Sequence, residues 1–281
     1  MPASAPALWR PSSPIRSESR LLTRISASSA APALTLARRS TTLLSSCRLL
    51  IRCPSSRSMR TVTLTIDGKE VRAREGEKVL WAALNNGIYI PNLCALREAR
   101  EPAAGCRLCF VEIQGRGHPV TACTEPVKEG MIVNTQAPTA RRLTRTAFEL
   151  LLASHPVDCA HCTANKKCEL QKIAAHLGIK LKTKRFKRLE RQLPVDSSSP
   201  VFVYDPNKCV LCGRCVWVCR ERLGIGAIGF ARRGFQRMVT TFGSKPIAES
   251  KCQGCGACVA LCPVGALAFK EGKGLSESPS P

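Results

Sequence analysis

The chain has 281 residues, of which 44% are apolar and 22% charged, and its formal net charge is +23 at neutral pH. Its longest unbroken apolar run is six residues, Val79 to Leu84, which excludes a helix of the roughly 18 residues needed to span a bilayer. Seventeen cysteines, mostly in Cys-x-x-Cys clusters, are typical of metal binding and not of a scattered disulfide framework.

The first sixty residues contain ten arginines, fourteen serines, no lysine and a single acid, Glu18. An Arg-rich, Ser-rich, acid-poor stretch is typical of an organellar transit peptide, whereas a secretory signal needs a compact apolar core. We therefore interpret residues 1–58 as a cleaved transit peptide, with a disordered tail as the alternative. Arginine richness favours the matrix side of a mitochondrion or a mitochondrion-derived organelle over a chloroplast. Fifteen cysteines follow this segment.

Residues 60–138 predict a small mixed sheet with one helix. Polar and apolar residues alternate strictly from Thr61 to Ile66 and run into Asp67-Gly68, a pair typical of a tight hairpin turn. The other predicted elements are a returning strand over 69–73, a helix over 77–86 closed by Gly87, and strands over 106–113, 120–123 and 131–135.

Four cysteines of this segment follow the order C-x11-C-x2-C-x13-C. Plant-type [2Fe-2S] ferredoxins have the same order with different outer spacings. Such a cluster lies in a small sheet like the one predicted here. The predicted ligands are Cys94, Cys106, Cys109 and Cys123.

Residues 139–195 are predicted to be largely helical. Apolar residues recur every four positions from Leu143 to Leu151, and Pro156 ends the pattern. A second helix is predicted over 168–176, followed by a basic run over 180–191. Such a run is usually a solvated face, and because no helix-turn-helix pattern accompanies it, we expect no nucleic-acid binding.

One cysteine set in this segment has three members, whereas the other sets have four. The pattern His155-x3-Cys159-x2-Cys162-x5-Cys168 contains three thiols and one imidazole. Because the fifteen cysteines divide into sets of four, three, four and four, we expect His155 to complete the ligand set of Cys159, Cys162 and Cys168. His161 is the competing candidate, and the remaining histidines are expected to lie on the surface.

Residues 197–270 contain an internal repeat. The segment from Lys208 to Cys219 aligns with the segment from Lys251 to Cys262 at an offset of 43 residues, and all four cysteines coincide. Each copy reads C-x2-C-x2-C-x3-C, the signature of two-cluster ferredoxins in which the fourth cysteine ligates the other cluster. The predicted sets are Cys209, Cys212, Cys215 and Cys262 for one [4Fe-4S] cluster and Cys219, Cys252, Cys255 and Cys258 for the other.

Charged residues and glycines beside the repeats have simpler interpretations than a substrate site. We expect the nearby basic residues to offset the negative charge of the clusters. The segment from Gly224 to Gly229 matches G-x-G-x-x-G but follows no predicted strand, so we interpret it as a turn and not as a nucleotide site. The basic residues in question are Lys208, Arg214, Arg220 and Lys251.

These motifs together resemble a known family. Gly105-Cys-Arg-Leu-Cys109, Cys168-Glu-Leu-Gln171 and the double repeat resemble the N-terminal iron–sulfur region of the large complex I (NADH dehydrogenase) subunit. They are more closely similar to the electron-input region of [FeFe]-hydrogenases and the small diaphorase subunit of NAD-reducing hydrogenases. The resemblance covers about residues 61–270.

The resemblance implies an α+β chain with a β-grasp [2Fe-2S] ferredoxin domain, a small helical His/Cys3 [4Fe-4S] domain and a bacterial-ferredoxin-like domain with two [4Fe-4S] clusters. Residues 271–281 then form a disordered tail. The resemblance also matches the four cysteines of the plant-type pattern and the His155 set to the family's ligands. It implies one [2Fe-2S] and three [4Fe-4S] clusters.

The implied function is electron transfer between an NADH-oxidising FMN flavoprotein and a separate hydrogenase or complex I-type acceptor. A thioredoxin-like [2Fe-2S] subunit is a further expected partner, and membrane contact is expected only through partners. Because typical relatives continue into a catalytic domain, we expect no self-contained active site in this chain, or else a longer natural protein. The alternatives are a free-standing ferredoxin-like carrier and, more distantly, a non-redox zinc scaffold.

Overall fold

The computed structural model describes residues 60–182 and 185–272. The predicted transit peptide and residues 273–281 of the predicted tail lie outside this range. No helix in the described part of the chain is long and apolar enough to cross a membrane. The helices are α1 (Val79–Asn85), α2 (Pro138–Ala153), α3 (Glu169–Leu177), α4 (Arg214–Trp217) and α5 (Ala257–Ala260). The strands are β1 (Thr61–Ile66), β2 (Lys69–Arg74), β3 (Phe110–Ile113), β4 (Val120–Thr121), β5 (Ile132–Asn134), β6 (Phe202–Tyr204), β7 (Ile228–Ala231), β8 (Met238–Thr241) and β9 (Leu267–Phe269).

The first five strands form one mixed sheet in the order β2-β1-β5-β3-β4. β1 and β2 make the predicted hairpin, in register from Thr61 opposite Arg74 to Ile66 opposite Lys69. Positive φ angles at Asp67 and Gly68 suit the primed turn that such a hairpin requires. β5 runs parallel to β1 and antiparallel to β3, which closes the sheet over one helix.

The core of this unit follows from the alternation in β1. The apolar side chains of β1 are buried and pack with the buried face of α1. The strand predicted over 106–113 begins only at Phe110, because residues 104–109 form a loop in which Ala104 and Arg107 have left-handed backbone angles. That loop carries two of the predicted ligands.

The next unit is built from α2 and α3. Pro138 occupies the first turn of α2, where its missing N–H needs no partner, and Phe148 on this helix is fully buried. Gly178, with φ 62°, closes α3 in the left-handed conformation that glycine adopts most easily. The two helices pack with Leu93 and Leu108 of the preceding segment and with Val264 of the following one.

The last unit shows the internal repeat in three dimensions. α4 and α5 begin after Gly213 and Gly256, both with positive φ, at the repeat offset. β6 pairs with β9 antiparallel, while β7 and β8 form a separate hairpin between the two repeats. Gly224 and Gly226 have positive φ in the turn that precedes this hairpin, and this turn follows the helical segment Val218–Arg222 and not a strand.

Candidate metal centres

The four cysteines of the plant-type pattern, called the plant-type set, lie on loops at one end of the first sheet. All four are buried, and the Sγ atoms of Cys94 and Cys106 are 3.4 Å apart. The Cys94 thiol lowers the pKa of Cys106 to about 6 by donating to its sulfur, and backbone N–H groups assist against the opposing effect of burial. The set comprises Cys94, Cys106, Cys109 and Cys123.

A second thiol pair in this set behaves in the same way. Hydrogen bonding with Cys109 lowers the pKa of Cys123, while the pKa of Cys109 is raised by that bond and by burial. In each pair one thiol therefore has a lowered pKa and its partner a raised one, whereas an iron ligand must be a thiolate. The left-handed backbone at Arg107 curls the chain between Cys106 and Cys109.

The two candidate histidines lie in different surroundings. His155 is partly buried, and its Nδ1 is 3.1 Å from the Lys208 carbonyl oxygen. Because a carbonyl only accepts, Nδ1 carries the proton and Nε2 keeps the lone pair that a metal requires. His161 is exposed, and its Nδ1 faces the Asp158 carboxylate at 3.0 Å.

The pKa of His155 also suits a neutral ligand. Burial lowers it, and the hydrogen bond to Lys208 opposes only part of that shift. Burial also raises the pKa of Cys168. We call His155, Cys159, Cys162 and Cys168 the histidine set.

Each cysteine group predicted from the crossed repeat pattern lines a cavity of its own. We call Cys209, Cys212, Cys215 and Cys262 the central set, which lines a cavity of about 20 Å³. We call Cys219, Cys252, Cys255 and Cys258 the distal set, which lines a larger, mostly apolar cavity of about 260 Å³. In each set, three cysteines come from one repeat and the fourth from the other.

Backbone N–H groups point at sulfur in both sets. Leu211 N–H donates to Cys209 Sγ at 3.4 Å, and Ala227 N–H donates to Cys219 Sγ at 3.3 Å. Leu211 adopts a left-handed backbone with φ 57°, although it is not glycine. No sequence pattern predicts a left-handed backbone at Leu211. Such N–H bonds stabilise negative charge on sulfur.

Burial raises the pKa values of five thiols in these two sets, which are Cys209, Cys212, Cys215, Cys252 and Cys258. The pKa of Cys212 rises to about 12 and that of Cys258 also to about 12, both by desolvation first. Because a metal binds the thiolate, loading either set must release protons. In the described residues, no three His, Cys, Asp or Glu side chains are grouped tightly enough for a single metal ion.

The central set lies next to two of the other sets. Residues of the plant-type set, Cys94 and Cys106, share one apolar cluster with Val210, Cys209 and Cys262. The histidine set approaches from another side, because His155 bonds the Lys208 carbonyl and Glu169 N–H donates to Pro263 O at 3.0 Å. The space beside Gly265 is so narrow that an added Cβ would lie 2.6 Å from Cys162 Sγ.

The central and distal sets also share an apolar cluster. Cys209, Cys215 and Cys262 pack in it with Cys252 and Cys258. The central set is thus bordered by all three other sets, an arrangement that the linear order of the motifs does not reveal.

Three family models match the chain in the same order. A 2Fe-2S iron-sulfur cluster binding domain matches residues 59–138. An NADH-ubiquinone oxidoreductase-G iron-sulfur binding region matches residues 145–182. An NADH-quinone oxidoreductase subunit 3, ferredoxin-like domain matches residues 199–268. The chain therefore contains ferredoxin-like [2Fe-2S] and [4Fe-4S] domains.

Similar curated proteins include the NADPH-Fe(3+) oxidoreductase subunit alpha of Geobacter sulfurreducens, 40% identical over 74% of this chain and 24% of that protein. The NADP-reducing hydrogenase subunit HndD of Solidesulfovibrio fructosivorans is 36% identical over 76% of this chain and 37% of that protein. An NADH-quinone oxidoreductase subunit of Rhizobium meliloti is 36% identical over 73% of this chain and 24% of that protein. The chain thus spans only 24% to 37% of the length of these relatives.

The predicted location is wrong. We expected the matrix side of a mitochondrion or a related organelle from the arginine-rich first sixty residues. The similar proteins are bacterial, from Geobacter, Rhizobium, Rickettsia and Streptomyces, and they give no support to organellar import. The composition that suggested a transit peptide lies outside the described residues and is not by itself evidence of an organelle.

One solved structure is similar to this chain over most of the length of its own chain. It is that of an NAD+-reducing [NiFe]-hydrogenase in the H2-reduced state, with a TM-score of 0.68 and 32% identity, and the match covers 76% of this chain and 90% of that chain. Fold and sequence are thus similar over nearly the whole of that neighbour. The chain belongs to the family of iron–sulfur subunits shared by NADH-quinone oxidoreductases and NAD(P)-reducing hydrogenases.

Proposed function

We propose that this chain is a four-cluster electron relay in an NADH or NADPH oxidoreductase and that its central set is the junction of the relay. The observation that carries the proposal is that the central set shares one apolar cluster with the plant-type set and another with the distal set, while His155 bonds the Lys208 carbonyl beside it. A relay needs cofactors that lie close enough together for electrons to pass from one to the next. A chain with an active site of its own does not need such an arrangement.

The proposed domains are a β-grasp [2Fe-2S] domain over 60–138, a helical His/Cys3 [4Fe-4S] domain over 139–195 and a double [4Fe-4S] ferredoxin domain over 197–270. One [2Fe-2S] cluster is assigned to the plant-type set and one [4Fe-4S] cluster to each other set. The four buried thiols of the plant-type set support this assignment. So do the two cavities, each lined by three cysteines of one repeat and one of the other, and the N–H groups that donate to sulfur.

When bound, each cluster supplies a site that gains or loses one electron without a proton. The protein's part is to hold the thiolates in a dry, fixed geometry and to set the potentials through burial and hydrogen bonds. His155 contributes a neutral ligand where the other sets have a thiolate. That replacement removes one negative charge from the histidine set and favours the reduced state of its cluster.

The proposed partners follow from the relay. An NADH-oxidising FMN flavoprotein, together with a thioredoxin-like [2Fe-2S] subunit, supplies electrons through the plant-type or histidine set. The distal set faces a hydrogenase or complex I-type acceptor. Because the chemistry begins and ends on these partners, this chain has no self-contained active site.

The proposal can be tested with the complex purified anaerobically from its source. A flavoprotein is expected to co-purify, and NADH or NADPH is expected to reduce all four clusters, as followed by freeze-quench EPR. In a Cys215→Ser variant the plant-type and histidine sets should still be reduced while the distal set is not; in the matched Cys255→Ser variant only the distal set should be affected. Clusters that dithionite reduces but neither nucleotide reduces would contradict the proposal.

A further inference from the structure

Two arginines beside the central set have buried N–H groups without partners. Within residues 60–182 and 185–272, Nε and Nη1 of Arg191 and Nε of Arg214 are buried and form no hydrogen bond. Neither arginine forms a salt bridge to a described carboxylate under the usual 4.0 Å criterion. A buried charge without a partner is costly, so an anion is expected at this place.

The segment that follows Arg191 is tied to the segment that leads into the central set. Leu193 N–H donates to Asn207 Oδ1 at 2.9 Å, and the Asn207 side chain returns a bond to the Leu193 carbonyl at 2.8 Å. This clamp fixes the segment two residues before Cys209. Burial raises the pKa values of Cys209 and of the neighbouring Tyr204, and the positive charge of Arg191 opposes part of that rise.

Arg214 approaches the same set from the other side. It is the first residue of α4, between Cys212 and Cys215. Its Nη2 reaches Asn92 Oδ1 at 3.5 Å, two residues before Cys94 of the plant-type set. Arg214 therefore lies at the border between the plant-type and central sets.

Among the described residues, the distal set lacks an equivalent pair. The repeat offset places Ala257 where the first copy has Arg214. Arg232 lines the distal cavity, but it is exposed, so water screens its charge. The two ferredoxin cavities thus have related ligands and different electrostatic surroundings.

We propose that Arg191 and Arg214 are the buried counter-charges of the central cluster and raise its reduction potential above that of the distal cluster. This inference rests on the proposed function. Reduction adds one electron to the cluster, breaks no bond and transfers no proton, and an NAD(P)H-oxidising flavoprotein supplies the electron. The reduced cluster carries one more negative charge, so two partly buried guanidinium groups favour it.

The test is an EPR-monitored redox titration of the four-cluster protein, with iron content measured on each sample. Arg191→Gln and Arg214→Gln should each reduce the equilibrium constant for reduction of one [4Fe-4S] couple at least tenfold, which is about 59 mV for a one-electron couple. Both should move the same couple, and the double variant should move it further. Arg191→Lys and Arg214→Lys should retain most of the original potential because they keep the charge.

Arg188→Gln is the matched control, because Arg188 lies in the same basic run but is 59% exposed and pairs with Glu190 at 3.7 Å. It should leave that couple unchanged. If Arg191→Gln loses the cluster while Arg191→Lys keeps it, the cluster requires a positive charge at residue 191, which supports the inference. The effect on the reduction potential is then measured on the Arg214 variants. Unchanged potentials, or Gln variants that move different couples, would overturn the inference. Absence of [4Fe-4S] signals from the unsubstituted protein would instead refute the proposed function.

Discussion

Gly265→Ala should damage the histidine set although residue 265 belongs to the ferredoxin repeat unit. The added Cβ would lie 2.6 Å from Cys162 Sγ, with Ala164 Cβ and Thr163 Oγ1 both at 3.5 Å. An ordinary contact is about 3.5–4.0 Å, so the sulfur or the backbone must move by about 1 Å. Metal–ligand distances tolerate about 0.2 Å, so Cys162 should cease to be a good ligand.

The measurement is iron content together with EPR of the reduced protein. Gly265→Ala should lose about four iron atoms and one [4Fe-4S] signal, while the [2Fe-2S] signal is kept. Gly229→Ala is the control, because an added Cβ there meets nothing within 4 Å and the residue does not have a positive φ. Full iron content and unchanged signals in Gly265→Ala would refute the contact between the two units and the role assigned to Cys162.

Three further predictions concern single side chains. His155→Ala should abolish the EPR signal of one [4Fe-4S] cluster, whereas His161→Ala should leave all signals intact because His161 is exposed; the reverse would exchange the ligand assignment. Phe148→Ala should lower the free energy of unfolding by about 3–5 kcal/mol in denaturant titrations, since the ring is fully buried. Burial alone would raise the pKa of Asp196, but a serine hydroxyl and two backbone N–H groups, including that of Ile247 at 2.8 Å, lower it overall. The Asp196 carboxylate should therefore stabilise the fold above about pH 4, and this stabilisation should be lost as the pH falls through the lowered pKa. Asp196→Asn should cost about 1 kcal/mol at neutral pH, and an unchanged denaturation midpoint would contradict this.

Local sequence patterns were sufficient for much of the architecture. The alternation of Thr61–Ile66 and the Asp67-Gly68 pair predict a hairpin that the structure contains. Cysteine spacing predicts four-residue groupings, two of which line separate cavities. These features depend on neighbours in the chain, so a single sequence carries them.

Other features depend on tertiary contacts and had no local signal. The basic run 180–191 was expected to be a solvated face, and Lys187 and Arg188 are indeed exposed, but Arg191 turns its guanidinium into the protein. The segment 106–109 was expected to be a strand and is a loop, because the chain curls around the plant-type set through Arg107. The position of the central set between the others follows only from packing.

The most direct test of the four-cluster relay is iron, zinc and sulfide analysis of the anaerobically purified protein, combined with EPR after stepwise reduction. About fourteen iron atoms per chain, with one [2Fe-2S] and three [4Fe-4S] signals that interact magnetically through a shared neighbour, are expected. Zinc without iron, or clusters that titrate with no magnetic interaction, would contradict a relay that converges on the central set.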